Sequence, residues 1–245
     1  MFRLEDIVRA FYIAKKDIKE YYLKPPTISW GIVFPVAFTL AFILKGGHHA
    51  KEIVPGLIAL ALFFGTTSMA AASIVFERKI GSFERLLLFP ISYTGIALGK
   101  TLSSFIFGIV SLIATIVVVL PFILNVHVCS LLLIVVLMLS AVMFSAFGVF
   151  ISFLIKDPTN TMMIFNSIRL PMIFLCGIFI PVSSLPLPLR LIAFLLPLTY
   201  SVEATKFAID GDYDIIPPAV SILLMFITTI LLILLTSIKI RRAIP

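Results

Sequence analysis

Charge is what this chain lacks most. Lys, Arg, Asp and Glu make up 13% of its 245 residues and hydrophobic residues 61%, against roughly 25% and 45–50% in soluble domains. Too little polar surface exists to cover a water-soluble fold, so the sequence reads as an integral membrane protein. Cysteine is nearly absent. Cys129 falls at a span end and Cys176 deep in a span, so no disulfide is expected and Cys176 reads as a small apolar residue. His48, His49 and His127 are the only histidines, too few for a metal site at these spacings. The spans predicted below hold no His, Asp or Glu. That argues against an embedded enzyme using a nucleophile and base, and against a carrier with intramembrane coupling acids. No basic stripe with interleaved aromatics lies outside the membrane, so nucleic acid is not an expected partner.

What remains is long apolar runs. A crossing needs about 20 such residues, and six are predicted, at about 27–44, 53–76, 96–124, 130–155, 161–180 and 217–238. Together they make one membrane domain over residues 1–245. A further apolar stretch, 185–198, is cut by Pro186, Pro188 and Pro197. It is too short to cross and is predicted to form re-entrant half-helices, which are tolerated only against protein or a wet cavity. The fold class is therefore all-α and membrane-embedded.

Orientation follows from the 19 Lys and Arg residues. With the N-terminus inside, only Lys45, Lys51, Arg190 and Lys206 fall outside, and Arg169 falls within a span. Both termini are thus predicted to be cytoplasmic, and topology accounts for the net charge of +7. Residues 3–22 are too polar for a signal peptide. Leu4, Ile7, Val8, Phe11, Ile18 and Tyr22 recur there at helical spacing, opposite charged residues. This predicts an interfacial amphipathic helix on the inner leaflet, stopped by Pro25 and Pro26. It serves either as an anchor or as a brace beside a cytoplasmic partner.

The run Thr94-Gly-Ile-Ala-Leu-Gly-Lys-Thr101 imitates a phosphate-binding loop. It has three residues between its glycines where four are required, and no strand precedes it. It reads as the entry to the third span, with Lys100 at the headgroup level. Any ATP must therefore be bound by another chain.

Five charges alternate in sign within nine residues, Glu77 to Arg85, and Leu86–Phe89 and Pro90 follow. The pattern predicts a short amphipathic helix on the membrane surface. Its polar side suits a soluble partner, or its charges serve only topology. The segment from Glu77-Arg78 through Gly81-Ser82 and Glu84-Arg85-Leu86 to Pro90-Ile91-Ser92 resembles the coupling-helix region of permease subunits of type-2 ABC exporters. A second passage, Phe174-Leu-Cys-Gly-Ile-Phe-Ile-Pro-Val-Ser-Ser-Leu-Pro186 running on through Leu195-Leu-Pro-Leu-Thr-Tyr-Ser-Val-Glu-Ala204, is similar to the outer end of that family's fifth span.

This resemblance implies a permease half that pairs with a second copy, usually identical. Two separate ATP-binding subunits would hold ATP and Mg, with no cofactor in this chain and no catalysis by it. It implies export of a drug, lipid or polysaccharide cargo across a prokaryotic-type plasma membrane. Glu77, Arg78, Gly81, Ser82, Glu84 and Arg85 become the candidate ATPase-docking residues. Pro181, Leu185, Pro186, Pro197, Tyr200 and Glu203 become candidates for an outer gate, and Glu203 is expected to pair with Lys206. In the family the first and fifth spans border the partner copy, which would place Met172, Phe174, Cys176 and Gly177 there.

Arg169, with Asn166 beside it, has two readings. It lines the pathway and attracts an anion, or it snorkels inward onto Asn166 and backbone carbonyls. Gly65, Ser68, Ala70–Ala72 and Ser73 form a small-residue face for close helix packing, within the subunit or against a second one. The rival function is an autonomous transporter or channel that works without ATP.

Overall fold

The structure, a computed structural model, describes residues 4–46, 50–89, 91–119, 131–155, 157 and 160–242. The described residues contain helices and no strand. Helix α1 (Leu4–Tyr21) ends before the Pro25-Pro26 pair. The first span follows as α2 (Pro25–Ile28), a π-helical stretch (Ser29–Val33) and α3 (Phe34–Gly46). Then come α4 (Ala50–Lys79), α5 (Ser82–Leu87), α6 (Tyr93–Val119), α7 (Leu131–Leu154) and α8 (Thr161–Leu175). A 3-10 turn (Val182–Ser184), α9 (Leu187–Leu195), α10 (Pro197–Asp210) and α11 (Pro218–Arg242) complete the chain.

Among the described residues, five stretches are long and apolar enough to cross a membrane: Pro25–Lys45, Ile53–Lys79, Tyr93–Val118, Leu131–Leu154 and Pro218–Arg241. They coincide with five of the six predicted spans. The predicted end of the third, 120–124, and the residues Cys129, His48, His49 and His127 lie outside the described residues.

The fifth span is shorter than predicted. Helix α8 stops at Leu175, 15 residues in length, or about 22 Å at 1.5 Å per residue, against a hydrocarbon core of about 30 Å. Two residues explain the stop. Pro171 donates no N–H inside the helix, and Gly177 turns the chain at φ +82°, a conformation that costs any other L-residue. Beyond it the predicted broken segment is present: α9 and α10 meet at 88°. Its second arm runs further than predicted, to Asp210.

Helix α4 is the hub. Its most apolar window is entirely buried in the chain, and it packs on α3, α6, α7 and α10. Lipid tails are as apolar as leucine, so such packing rests on close fit and hydrogen bonds. The small-residue face supplies the fit: a methyl group at Gly65 would sit 2.6 Å from the Ser111 Cβ of α6. Ser68, Ala70, Ala71, Ala72 and Ser73 are all fully buried, so this face is used inside the subunit. Ser111 Oγ donates to the Gly31 and Ala61 carbonyls, tying the first span, α4 and α6 at one point.

Candidate functional site

At the end of α4 the chain leaves the bundle and returns through α5. Gly81 makes this possible by taking φ +66° as the residue that caps α5, a left-handed conformation glycine reaches without a Cβ clash. Phe83 plugs the short helix into the body. It is buried, its ring 5.3 Å from that of Phe153, in a cluster with Ile74, Val149 and Ile96. The rest of the segment faces outward: Lys79, Gly81, Glu84 and Arg85 are exposed and Ser82 is half-buried. Leu88 and Phe89 extend the exposed apolar edge.

Two of the docking candidates do not belong to this exposed set. Glu77 is fully buried, and Lys16 of α1 and Lys100 of α6 hold its carboxylate. Lys100 Nζ lies 2.6 Å from Glu77 Oε2 as an ion pair. It also donates to both oxygens of Asp17, at 3.0 and 2.9 Å. Ser103 Oγ donates to Asp17 as well, at 3.2 Å. Buried carboxylates need such partners, and three helices converge to supply them.

Arg78 is the second correction. Its Nη1 donates to the Ile155 and Ser152 carbonyls at 2.7 and 3.2 Å, satisfying the C-terminal end of α7. Its guanidinium also lies 5.1 Å from the Phe153 ring.

The network also revises Lys100 and α1. Lys100 is fully buried inside the protein, enclosed by its carboxylate partners. On α1 the predicted apolar residues Ile7, Val8 and Phe11 are exposed. Asp6, Ala10, Ile13, Ala14, Asp17 and Tyr21 face the protein instead. The helix is therefore bound to the bundle by a mixed face, on which Asp6 and Asp17 sit among small and apolar residues, and it leaves Ile7, Val8 and Phe11 free for a membrane surface. Burial disfavours the Lys16 charge, but Glu77 and Asp17 beside it outweigh burial and raise its pKa above the usual value. Burial likewise pushes the Asp17 carboxyl up, against the pull of Lys100. Asp17 and Lys16 stand 83 or more positions from Lys100, so no local pattern announces their meeting.

Arg169 is 1% exposed. Its guanidinium lies 5.2 Å from the Phe64 ring of α4 and 4.9 Å from Phe165. Among the described residues its Nε and Nη2 find no acceptor. The inward-snorkelling reading is therefore lost: the side chain reaches no surface and half-buried Asn166 is not its partner.

At the end opposite α1 and α5 is a cavity of about 470 Å³, lined by Gly56, Gly177, Pro181, Glu203, Lys206 and Asp214 among others. Glu203 accepts the Asp214 backbone N–H at 2.9 Å and lies within electrostatic reach of Lys206, which lines the same cavity. Leu185 is buried and Pro186 exposed. Pro197 opens α10, and the Tyr200 hydroxyl donates to the Phe194 carbonyl, bracing the elbow to α9. Among the partner-border candidates only Phe174 is well exposed; Met172 and Cys176 face inward. Among the described residues no group of three or more His, Cys, Asp or Glu could hold a metal ion.

The family model described as "ABC-2 type transporter" matches residues 9–209, a stretch running from α1 through all but the last residue of α10. No curated protein matches this chain.

Proposed function

This chain belongs to the ABC-2 type transporter family and is a multi-pass membrane component of a transporter; we propose that it is the permease subunit of an ATP-driven exporter. Two copies would form the pathway, as one membrane domain that includes α11. Two separate ATP-binding subunits would hold ATP and Mg and dock on α5. The observation that carries the reading is α5 itself. A short helix presents Glu84 and Arg85 to solvent, while Phe83 anchors it in the body. Such a helix receives a push on its polar face and passes it through an aromatic plug into α4 and α7.

The docking set is therefore Gly81, Ser82, Glu84 and Arg85, with Lys79 added. Glu77 and Arg78 take the structural side of the same device: they fix the end of α4 against α1, α6 and α7, so that a movement of α5 is transmitted and not absorbed. The proposed orientation puts α1, α5 and both termini in the cytoplasm, the side where ATP is available. The 88° elbow, with Pro181, Leu185, Pro186, Pro197, Tyr200 and Glu203, would close the far side.

Affinity purification of the chain in detergent tests this directly. A soluble ATP-binding subunit should accompany it, and Glu84→Lys should leave the complex folded but abolish cargo-stimulated ATP hydrolysis. Purification of the chain alone would instead favour a transporter that works without ATP, and intact stimulation in Glu84→Lys would remove α5 from the coupling path.

A further inference from the structure

Arg169 heads the fully buried side chains by size among the described residues, and its charge is not matched. The faces of Phe64 and Phe165 offer cation–π attraction, worth about 2 kcal/mol at a desolvated site. A buried unpaired ion costs several kcal/mol (order of magnitude), so the rings do not offset it. Two N–H-bearing nitrogens, Nε and Nη2, remain without acceptors among the described residues.

A second copy of the chain cannot supply the missing anion at this depth. Arg169 is eight residues into α8, about 12 Å along its axis. None of the 12 Asp and Glu residues lies deep within the five long spans or α8, and Glu203 of α10 lines the cavity at the far end, where it bonds the Asp214 N–H. Glu77 is the one closest to a span interior, and Lys16 and Lys100 already hold it.

A stripe of rings leads to the same place. Trp30, Phe34, Phe38 and Phe42 recur at every fourth residue, with centroids 5.4, 5.3 and 4.8 Å apart. Phe179 continues the stripe 4.6 Å beyond Phe42. These five rings are half-buried. Phe34 meets Phe64 at 4.7 Å in a tilted pair, and Phe64 is one of the two rings that flank Arg169.

We propose that Arg169 is the anion-recognition point of the pathway, and that the cargo is an amphiphile carrying a phosphate, sulfate or carboxylate on an apolar body. This rests on the permease reading above and adds the cargo class. The guanidinium fork pairs with the oxyanion, and the apolar body lies along the Trp30-to-Phe179 stripe. Access requires α8 to move off α4, and α8 is lightly held. It buries one stripe, Thr161, Phe165, Arg169, Met172 and Ile173. Pro171, two residues after Arg169, also withholds the N–H that would bond the Ser167 carbonyl.

The test uses dansyl-labelled undecanoic acid, its neutral amide and its cationic amine, titrated against the purified permease in a neutral detergent. Wild type should bind the acid at least about tenfold tighter than the amide, a difference of about 1.4 kcal/mol. Arg169→Met should bring the acid to the level of the amide and leave amide binding unchanged. Competition by dodecyl phosphate and dodecyl sulfate then ranks the headgroups. Equal binding of acid and amide by wild type, or a preference that survives Arg169→Met, would overturn the proposal. If Arg169→Met is not monodisperse, Arg169→Lys decides: the preference should weaken, because a point charge lacks the fork, and an unchanged preference sinks the idea. No ATPase enters this measurement. Acid-selective binding by a permease that purifies without an ATP-binding subunit would keep the anion site and fail only the ATP-driven reading.

Discussion

Replacing Lys100 with Met removes the centre of the α1–α4–α6 ion network. The side chain leaves three contacts behind: two hydrogen bonds to Asp17 at 3.0 and 2.9 Å and the 2.6 Å pair with Glu77. Both carboxylates are fully buried. The remaining cation, Lys16, is 35% exposed along its side chain and cannot neutralise two acids. Breaking a buried pair by deleting one partner costs about 3–5 kcal/mol. For a chain of this length that is a fall in melting temperature of about 6–20 °C.

The triple variant Lys100→Met, Asp17→Asn, Glu77→Gln leaves no fully buried charge unpaired, only the part-exposed Lys16 cation, and should recover much of the loss, since a whole buried pair is close to neutral against uncharged replacements. The assay is heating in detergent followed by size-exclusion chromatography of the surviving monodisperse protein. Exposed Arg85→Met serves as control, with an effect within about 0.5 kcal/mol. A Lys100→Met protein that melts within about 2 °C of wild type, or a triple variant less stable than the single one, would refute the reasoning.

Arg78→Ala should destabilise by about 2 kcal/mol, the scale of a charge-assisted hydrogen bond, because it strands the Ser152 and Ile155 carbonyls. The same thermal assay reads it, and a null effect would return Arg78 to the docking surface. The raised pKa of Lys16 has a signed consequence for pH. Its contribution is fully present below the ordinary lysine value of 10.5 and is lost as pH rises through the higher folded value. The stability gap between wild type and Lys16→Met should therefore narrow in that alkaline window, and a gap that stays constant across it would contradict the ion-pair assignment.

Much of the site was legible one residue at a time and wrong in combination. Glu77, Arg78, Lys79, Glu84 and Arg85 form one charge run in the sequence, yet Glu77 is buried and Arg78 half-buried while Lys79, Glu84 and Arg85 are exposed. The difference is where helix α4 ends. Its last turn is still enclosed by α1, α6 and α7, and α5 begins only after Gly81 reverses the chain. Likewise the amphipathic period of residues 4–22 was clear, but period alone does not say which face meets protein. Lys100 lay in an apparent phosphate loop, and its partner Asp17 is 83 residues away.

Composition and run length by themselves determined the membrane class, five of the crossings and the broken segment after the fifth, because a bilayer demands long apolar helices and prolines interrupt them. Only the tertiary structure decided which charges are spent inside the subunit. It ended α8 at Leu175, put Lys100 between two carboxylates and left Arg169 between two rings with donors unanswered. Pairing is a property of side chains brought together by packing, and nothing in a linear order specifies which distant charges share a buried site.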